Sequence, residues 1–184
     1  MTSCRENRLP INSERGPLDF GVGAMDIQSI DDMFIRSAKN EDRDRVVALV
    51  FSVLSEFGLP PDPDLRDADL DDIEGNYIIP GGVFEVIEDK QGELIGTVGL
   101  YRLDDETCEL RKMYFDQRIR GKGLGKQVLE RIIVKARTLG FRRIQLDTVS
   151  VLKAAIHLYI SAGFLPIKTD HVSARVDQTY ALDL

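Results

Sequence analysis

The chain has 184 residues but no tryptophan, two cysteines and two histidines. Without a cluster of His and Cys there is no ligand set for a metal site. Cys4 falls in a stretch without helical or strand period, so a structural disulfide with Cys108 is not expected, and a reducing cytoplasm is the expected setting. No apolar run approaches the roughly 20 residues of a membrane helix, and none near the N-terminus serves as a signal peptide. Positive charge is also in deficit. The net charge of −7 argues against general nucleic-acid binding. Hydrophobic residues make up 43%, enough for one domain with a sizeable core.

The charge is unevenly spread. Residues 111–126 carry six bases (Arg111, Lys112, Arg118, Arg120, Lys122, Lys126) and one acid, Asp116. Residues 62–74 carry seven acids and one base, Arg66. A basic patch in an acidic chain suggests a local anion site. The acidic run reads as a solvated face.

Residues 1–32 show no clear period and carry Pro10, Pro17 and Gly21-Val22-Gly23, which predicts a flexible tail before a single domain over 33–184. A short strand at 33–36 is followed by a helix in which Val46, Val47, Val50, Val53, Leu54 and Phe57 recur, with Asn40 as its cap and Gly58 as its stop. A short polar helix is expected near 70–74. Three antiparallel strands follow at 83–88, 94–103 and 107–115. From Leu124 the period turns helical, with Val128, Leu129, Ile132, Ala136 and Leu139 sharing its face and Gly140 as a left-handed stop. A strand at 143–148, a helix capped by Ser150 and ended by Gly163, and two closing strands at 164–167 and 176–182 complete the chain. The closing strands could pair across a dimer, though nothing in the sequence requires it.

The informative unit runs from a strand, through Arg118-Ile119-Arg120-Gly121-Lys122-Gly123-Leu124-Gly125, into a helix. A helix start exposes unpaired N–H groups and a positive dipole end, which together bind anions. Glycines at 121, 123 and 125 let a phosphate approach the backbone. Lys126 adds charge at the rim. A pyrophosphate is the natural guest. A Walker A loop fails at both ends, because Arg120 holds the first-glycine position and Gln127 follows Gly125-Lys126. A Rossmann turn fails too: the third glycine comes one residue early, and antiparallel-looking strands precede it.

Arg118-x-x-Gly121-x-Gly123 resembles the acyl-CoA-binding signature, Gln/Arg-x-x-Gly-x-Gly/Ala, of the GCN5-related N-acetyltransferase (GNAT) superfamily. The strand 109–115 and the stretch 155–164 (Ala-Ile-His-Leu-Tyr-Ile-Ser-Ala-Gly-Phe) are similar to that family as well. The resemblance implies an α+β fold, a three-layer sandwich with a mixed, mostly antiparallel sheet flanked by helices. It implies acetyl-CoA as acetyl donor, without a metal, and transfer to a primary amine of a small molecule or protein. By the same resemblance, Met113, Tyr114 and Phe115 hydrogen-bond the pantetheine arm through their backbone, while Arg118 and residues Arg120, Gly121, Lys122, Gly123, Leu124, Gly125 and Lys126 cradle the pyrophosphate. Glu109 is the implied general base and Tyr159 the implied proton donor to the departing thiolate. Leu152 stands where many members have an asparagine that contacts pantetheine. The acidic run would border the acceptor site and could favour a cationic acceptor, with Tyr77, Tyr101 and Arg102 as further acceptor-site candidates. A non-catalytic acyl-CoA-binding module and a nucleotide-binding protein are the rival readings.

Overall fold

Alternation along β3 (Val83–Glu88) divides the molecule into its layers. Phe84 and Val86 face one side, while Ile87 faces the other, where Glu85 meets Arg131 of α2 (Leu124–Thr138). The computed structural model describes residues 28–30, 33–168 and 173–184. Most of the expected 1–32 tail, Cys4 and His171 lie outside the described residues. Gln28–Ile30 forms a strand, β1, paired with β2 (Met33–Ser37).

Eight strands make one sheet in the order β1-β2-β3-β4-β5-β6-β8-β7. Its remaining members are β4 (Leu94–Arg102), β5 (Thr107–Phe115), β6 (Arg143–Thr148), β7 (Leu165–Ile167) and β8 (Gln178–Asp183). Every pairing is antiparallel except β5 with β6. On one face α1 (Arg43–Glu56) buries Val46, Val50 and Leu54 with Leu70, Ile73 and Tyr77 from the following segment. On the other face α2 buries Leu124, Val128, Leu129, Ile132 and Ala136, and α3 (Lys153–Ser161) adds Tyr159. Each fully buried Leu or Ile side chain contributes about 1.5–3 kcal/mol. The result is the expected three-layer sandwich with a mixed, mostly antiparallel sheet.

Some local expectations differ from the structure. The polar helix near 70–74 is instead a 3-10 turn, Ala68–Leu70, and a π-helical turn, Glu74–Ile78. Asn40 does not cap α1. It opens a 3-10 turn, and its side chain donates to Asp72 and accepts from the Glu74 amide, which ties the 68–78 segment to the start of α1. Ser150 does not cap α3. Its hydroxyl and amide both donate to Asp177, and Leu152 holds the position before the helix.

Two irregularities shape the sheet's centre. β5 pairs with β6 only from Thr107↔Arg143 to Glu109↔Gln145, so the strands part beyond Glu109. Between Thr97↔Tyr114 and Gly99↔Arg111 the β4–β5 register shifts, leaving Lys112 and Met113 opposite Val98. The bulge is carried by Lys112, a non-glycine residue at φ +52°. Its carbonyl accepts from the buried Thr97 hydroxyl at 2.7 Å.

Candidate active site

The parting of β5 and β6 opens a cavity of about 960 Å³, walled by α1, β5, the glycine turn, β6 and α3. Asp116 N donates to Ile95 O of β4 at 2.9 Å. By strand alternation the amides of Met113 and Phe115 then face away from β4, into the gap. That stretch of β5 is an unpaired strand edge that can accept an extended amide-bearing chain.

The glycine turn closes one end. Gly121 and Gly123 have φ +74° and +86°, conformations that disfavour side chains. Gly123 stands immediately before α2. The amides of residues 121–125 donate to no other backbone group among the described residues. Five amides without a backbone acceptor at a helix start, beside Lys126, are the kind of donor set that suits an anion. Arg120 reaches back across the turn. Its Nε donates to Phe115 O at 2.7 Å, its Nη1 pairs with Glu56 at 2.6 Å, and it lies over the Phe57 ring. Its Nη2 is buried with no hydrogen-bond partner among the described residues, a spare donor at the cavity wall. These features fit a pyrophosphate joined to an extended amide arm.

The cavity brings together Glu109, Met113, Tyr114, Phe115, Arg120, Gly121, Gly123, Gly125, Lys126, Leu152 and Tyr159. Arg118, Lys122 and Leu124 instead border a neighbouring cavity of about 360 Å³. There Arg118 is held by Asp116 at 2.9 Å, and the Leu124 side chain is buried in the core.

Tyr159 sits on α3 at 8% exposure, against Phe164. Burial, and then the nearby Tyr114, push its hydroxyl well above the ordinary tyrosine value. The hydroxyl makes no hydrogen bond to the described residues, and the side chain borders the cavity. Glu109 lies where β5 and β6 part. Its Oε2 accepts from Arg111 Nη2 at 2.6 Å. Arg111 stacks on the Tyr101 ring, 4.0 Å from its centroid, and reaches Asp69 at 3.4 Å. Cys108, the preceding residue, points into the core, where burial pushes its thiol up to about 12.

The acidic run does not present a bare negative face to this cavity. Asp67 and Asp69 are buried. Asp67 binds Lys112 and Arg175, while Asp69 meets Lys112 and accepts from the Tyr77 hydroxyl at 2.6 Å. The cavity wall here carries Arg66, Arg111, Lys112 and Arg175 against Glu109 and Asp147. Of the three acceptor-site candidates, Tyr77 lies in the core, Tyr101 lies beneath Arg111, and Arg102 pairs with Asp105. Arg66, Asp147 and Arg175 went unread in the sequence. Arg66 had one signal, as the single base in an acidic run; Arg175 had none.

A family model described as "Acetyltransferase (GNAT) family" matches residues 47–164, well over half of the chain. The chain belongs to the GNAT family. It is 36% identical over 146 residues to the uncharacterized N-acetyltransferase YjgM of Escherichia coli, covering 74% of this chain and 87% of that one. It is 33% identical to an uncharacterized N-acetyltransferase of Schizosaccharomyces pombe, over 67% of this chain and 77% of the other. Among solved structures, a GNAT-family acetyltransferase from Staphylococcus aureus superposes with a TM-score of 0.74 at 26% identity, covering 82% of this chain and 98% of that one. This GNAT protein is an acetyl-CoA-dependent N-acetyltransferase.

Proposed function

We propose that the protein transfers the acetyl group of acetyl-CoA to a primary amine by direct attack, with donor and acceptor bound together in the β5–β6 cavity. The observation that carries this reading is that one cavity holds the glycine turn, the open β5 edge, Glu109 and Tyr159. Acetyl-CoA, when bound, supplies an acetyl thioester. The backbone of Met113 and Phe115 would align its amide arm, and the amides of 121–125 with Lys126 and Arg120 would hold its pyrophosphate.

An alkyl ammonium of pKa about 10.4 is almost wholly protonated at neutral pH and cannot attack. Glu109, with one oxygen on Arg111, has the other to take that proton, directly or through water. The β5 amides facing the gap are donors for charge developing on the carbonyl oxygen. Tyr159, kept protonated by its burial, gives its proton to the departing sulfur.

Thiol release from acetyl-CoA across a panel of primary amines tests the proposal. Amine-dependent release, with the acetylated amine seen by mass spectrometry, is the expected result. No turnover with any amine, despite coenzyme A binding, sinks it.

A further inference from the structure

We propose that Arg111 is the positioning residue for Glu109. It fixes one carboxylate oxygen so that the other is presented to the acceptor amine, and it is itself held by a chain of side chains that begins at Tyr77 in the core. The inference rests on the amine-acetylating reading of the cavity and names the group that sets its base.

A glutamate beside an open gap swings about its side-chain torsions unless something holds it, and a base must stand within hydrogen-bond reach of the proton it takes. Glu109 has one hydrogen-bond partner among the described residues. Its Oε2 accepts from Arg111 Nη2 at 2.6 Å, a bond between opposite charges. Its Oε1 makes no hydrogen bond to the described residues, and the side chain borders the cavity. The two residues stand two apart on β5, before the bulge at Lys112, so ordinary alternation puts them on one face.

Arg111 is anchored from the opposite side. Along β4, Tyr101 pairs with Glu109 and Gly99 pairs with Arg111. Gly99 has no side chain, and the ring of Tyr77 fills its place: a Cβ there would lie 2.8 Å from Tyr77 Cε1. Tyr77 meets Tyr101 edge to face, with ring centroids 5.5 Å apart. Tyr101 in turn sets its ring 4.0 Å from the Arg111 guanidinium carbon. The Tyr77 hydroxyl donates to Asp69 Oδ2 at 2.6 Å, and the same oxygen lies 3.4 Å from Arg111 Nη1. Asp69 Oδ1 faces Lys112 Nζ at 3.0 Å, which keeps this carboxylate from turning away. A chain therefore runs from Tyr77 through Asp69 and Arg111 to Glu109. Only an arginine fits its third place. The planar fork turns Nη1 to Asp69 and Nη2 to Glu109 while its face lies on an aromatic ring, and a lysine has the charge but no fork.

The test is a double-mutant cycle on the fastest primary amine of the panel. Glu109→Gln should lower kcat about 100-fold or more, as loss of a base does. Arg111→Gln should lower it about tenfold or more through misplacement of that base, with the KM for acetyl-CoA within about threefold of wild type. The double variant should fall within about threefold of Glu109→Gln alone, because Arg111 acts through Glu109. Arg111→Lys should recover less than about threefold of the loss. A kcat within threefold of wild type in Arg111→Gln, losses that multiply in the double variant, or full recovery by lysine each overturn the proposal. A second measurement needs neither a variant at Arg111 nor turnover. In NMR spectra of the wild-type protein, the Arg111 guanidinium N–H signals should stand apart from the averaged signals of exposed arginines, and Glu109→Gln should merge them. Averaged Arg111 signals in wild type overturn the positioning of Glu109 whatever the turnover. Separate signals with no amine acetylated leave the fixed pair in place and sink the transfer reading.

Discussion

Lys112 Nζ lies 2.9 Å from Asp67 Oδ1, and the two side chains are 5% and 1% exposed. They stand 45 residues apart in the chain. Asp67 also receives Arg175, which brings the 62–78 segment, the β5 bulge and the 173–177 turn to one carboxylate. Asp67→Ala leaves two enclosed cations without their shared partner. It should cost about 3–5 kcal/mol of unfolding free energy in urea titrations. A loss below about 1 kcal/mol would show the cluster to be open to water.

Acid should act through the same carboxylate. Burial alone would raise the pKa of Asp67, but the Arg175 hydrogen bond and the charge of Lys112 outweigh it and hold it below the usual range. Asp42 and Glu88 are lowered as well, both through hydrogen bonds from Arg36. Unfolded Asp and Glu titrate near about 3.9 and 4.3, so this stabilisation is complete at neutral pH and is lost as pH falls through the lower folded values. The urea midpoint should therefore drop once pH goes below about 4.5, and less steeply in Asp67→Asn. Equal slopes in the two proteins would contradict the assignment to Asp67.

Tyr159→Phe removes the proton donor but keeps the ring against Phe164. Loss of a general acid predicts a fall in kcat of about 100-fold or more, with the KM for acetyl-CoA within about threefold of wild type. Because the hydroxyl titrates above the ordinary tyrosine value, wild-type activity should show no Tyr159-dependent decline below about pH 10. Unchanged kcat in the variant would remove Tyr159 from the mechanism.

Gly123→Ala probes the turn. No neighbour lies within 4 Å of an added Cβ, so its cost comes from the φ of +86° alone. A left-handed alanine is disfavoured by about 1–2 kcal/mol. Relieving that strain moves the amides at the start of α2, and the KM for acetyl-CoA should rise about tenfold. A KM equal to wild type would mean that these amides do not hold the cofactor.

Much of the sheet was legible because its periods are local. β3, β5 and β6 have the expected bounds, and the α2 stripe is buried from Leu124 to Ala136, while Leu139, just past the helix end, is exposed. The acceptor side was not, because its structure depends on distant partners. Asp67 and Asp69 look like solvated acids until Lys112 and Arg175 enclose them, and Arg175 lies 108 residues from Asp67. Asn40 and Ser150 are good capping residues by type, yet each is drawn to a partner elsewhere in the chain, Asp72 with Glu74 and Asp177. The bulge at Lys112 had no glycine to announce it.

That bulge couples the centre of the sheet to a segment outside it. A left-handed lysine is unfavourable by itself, and the groups that hold it, Thr97 and the Asp67 carboxylate, arrive from other parts of the chain. The shape of the β5 edge therefore depends on the 62–78 segment as well as on the sheet. Amide hydrogen exchange along β5 from Leu110 to Phe115 should accelerate together with exchange in residues 67–70 when Asp67 is replaced, as one cooperative unit.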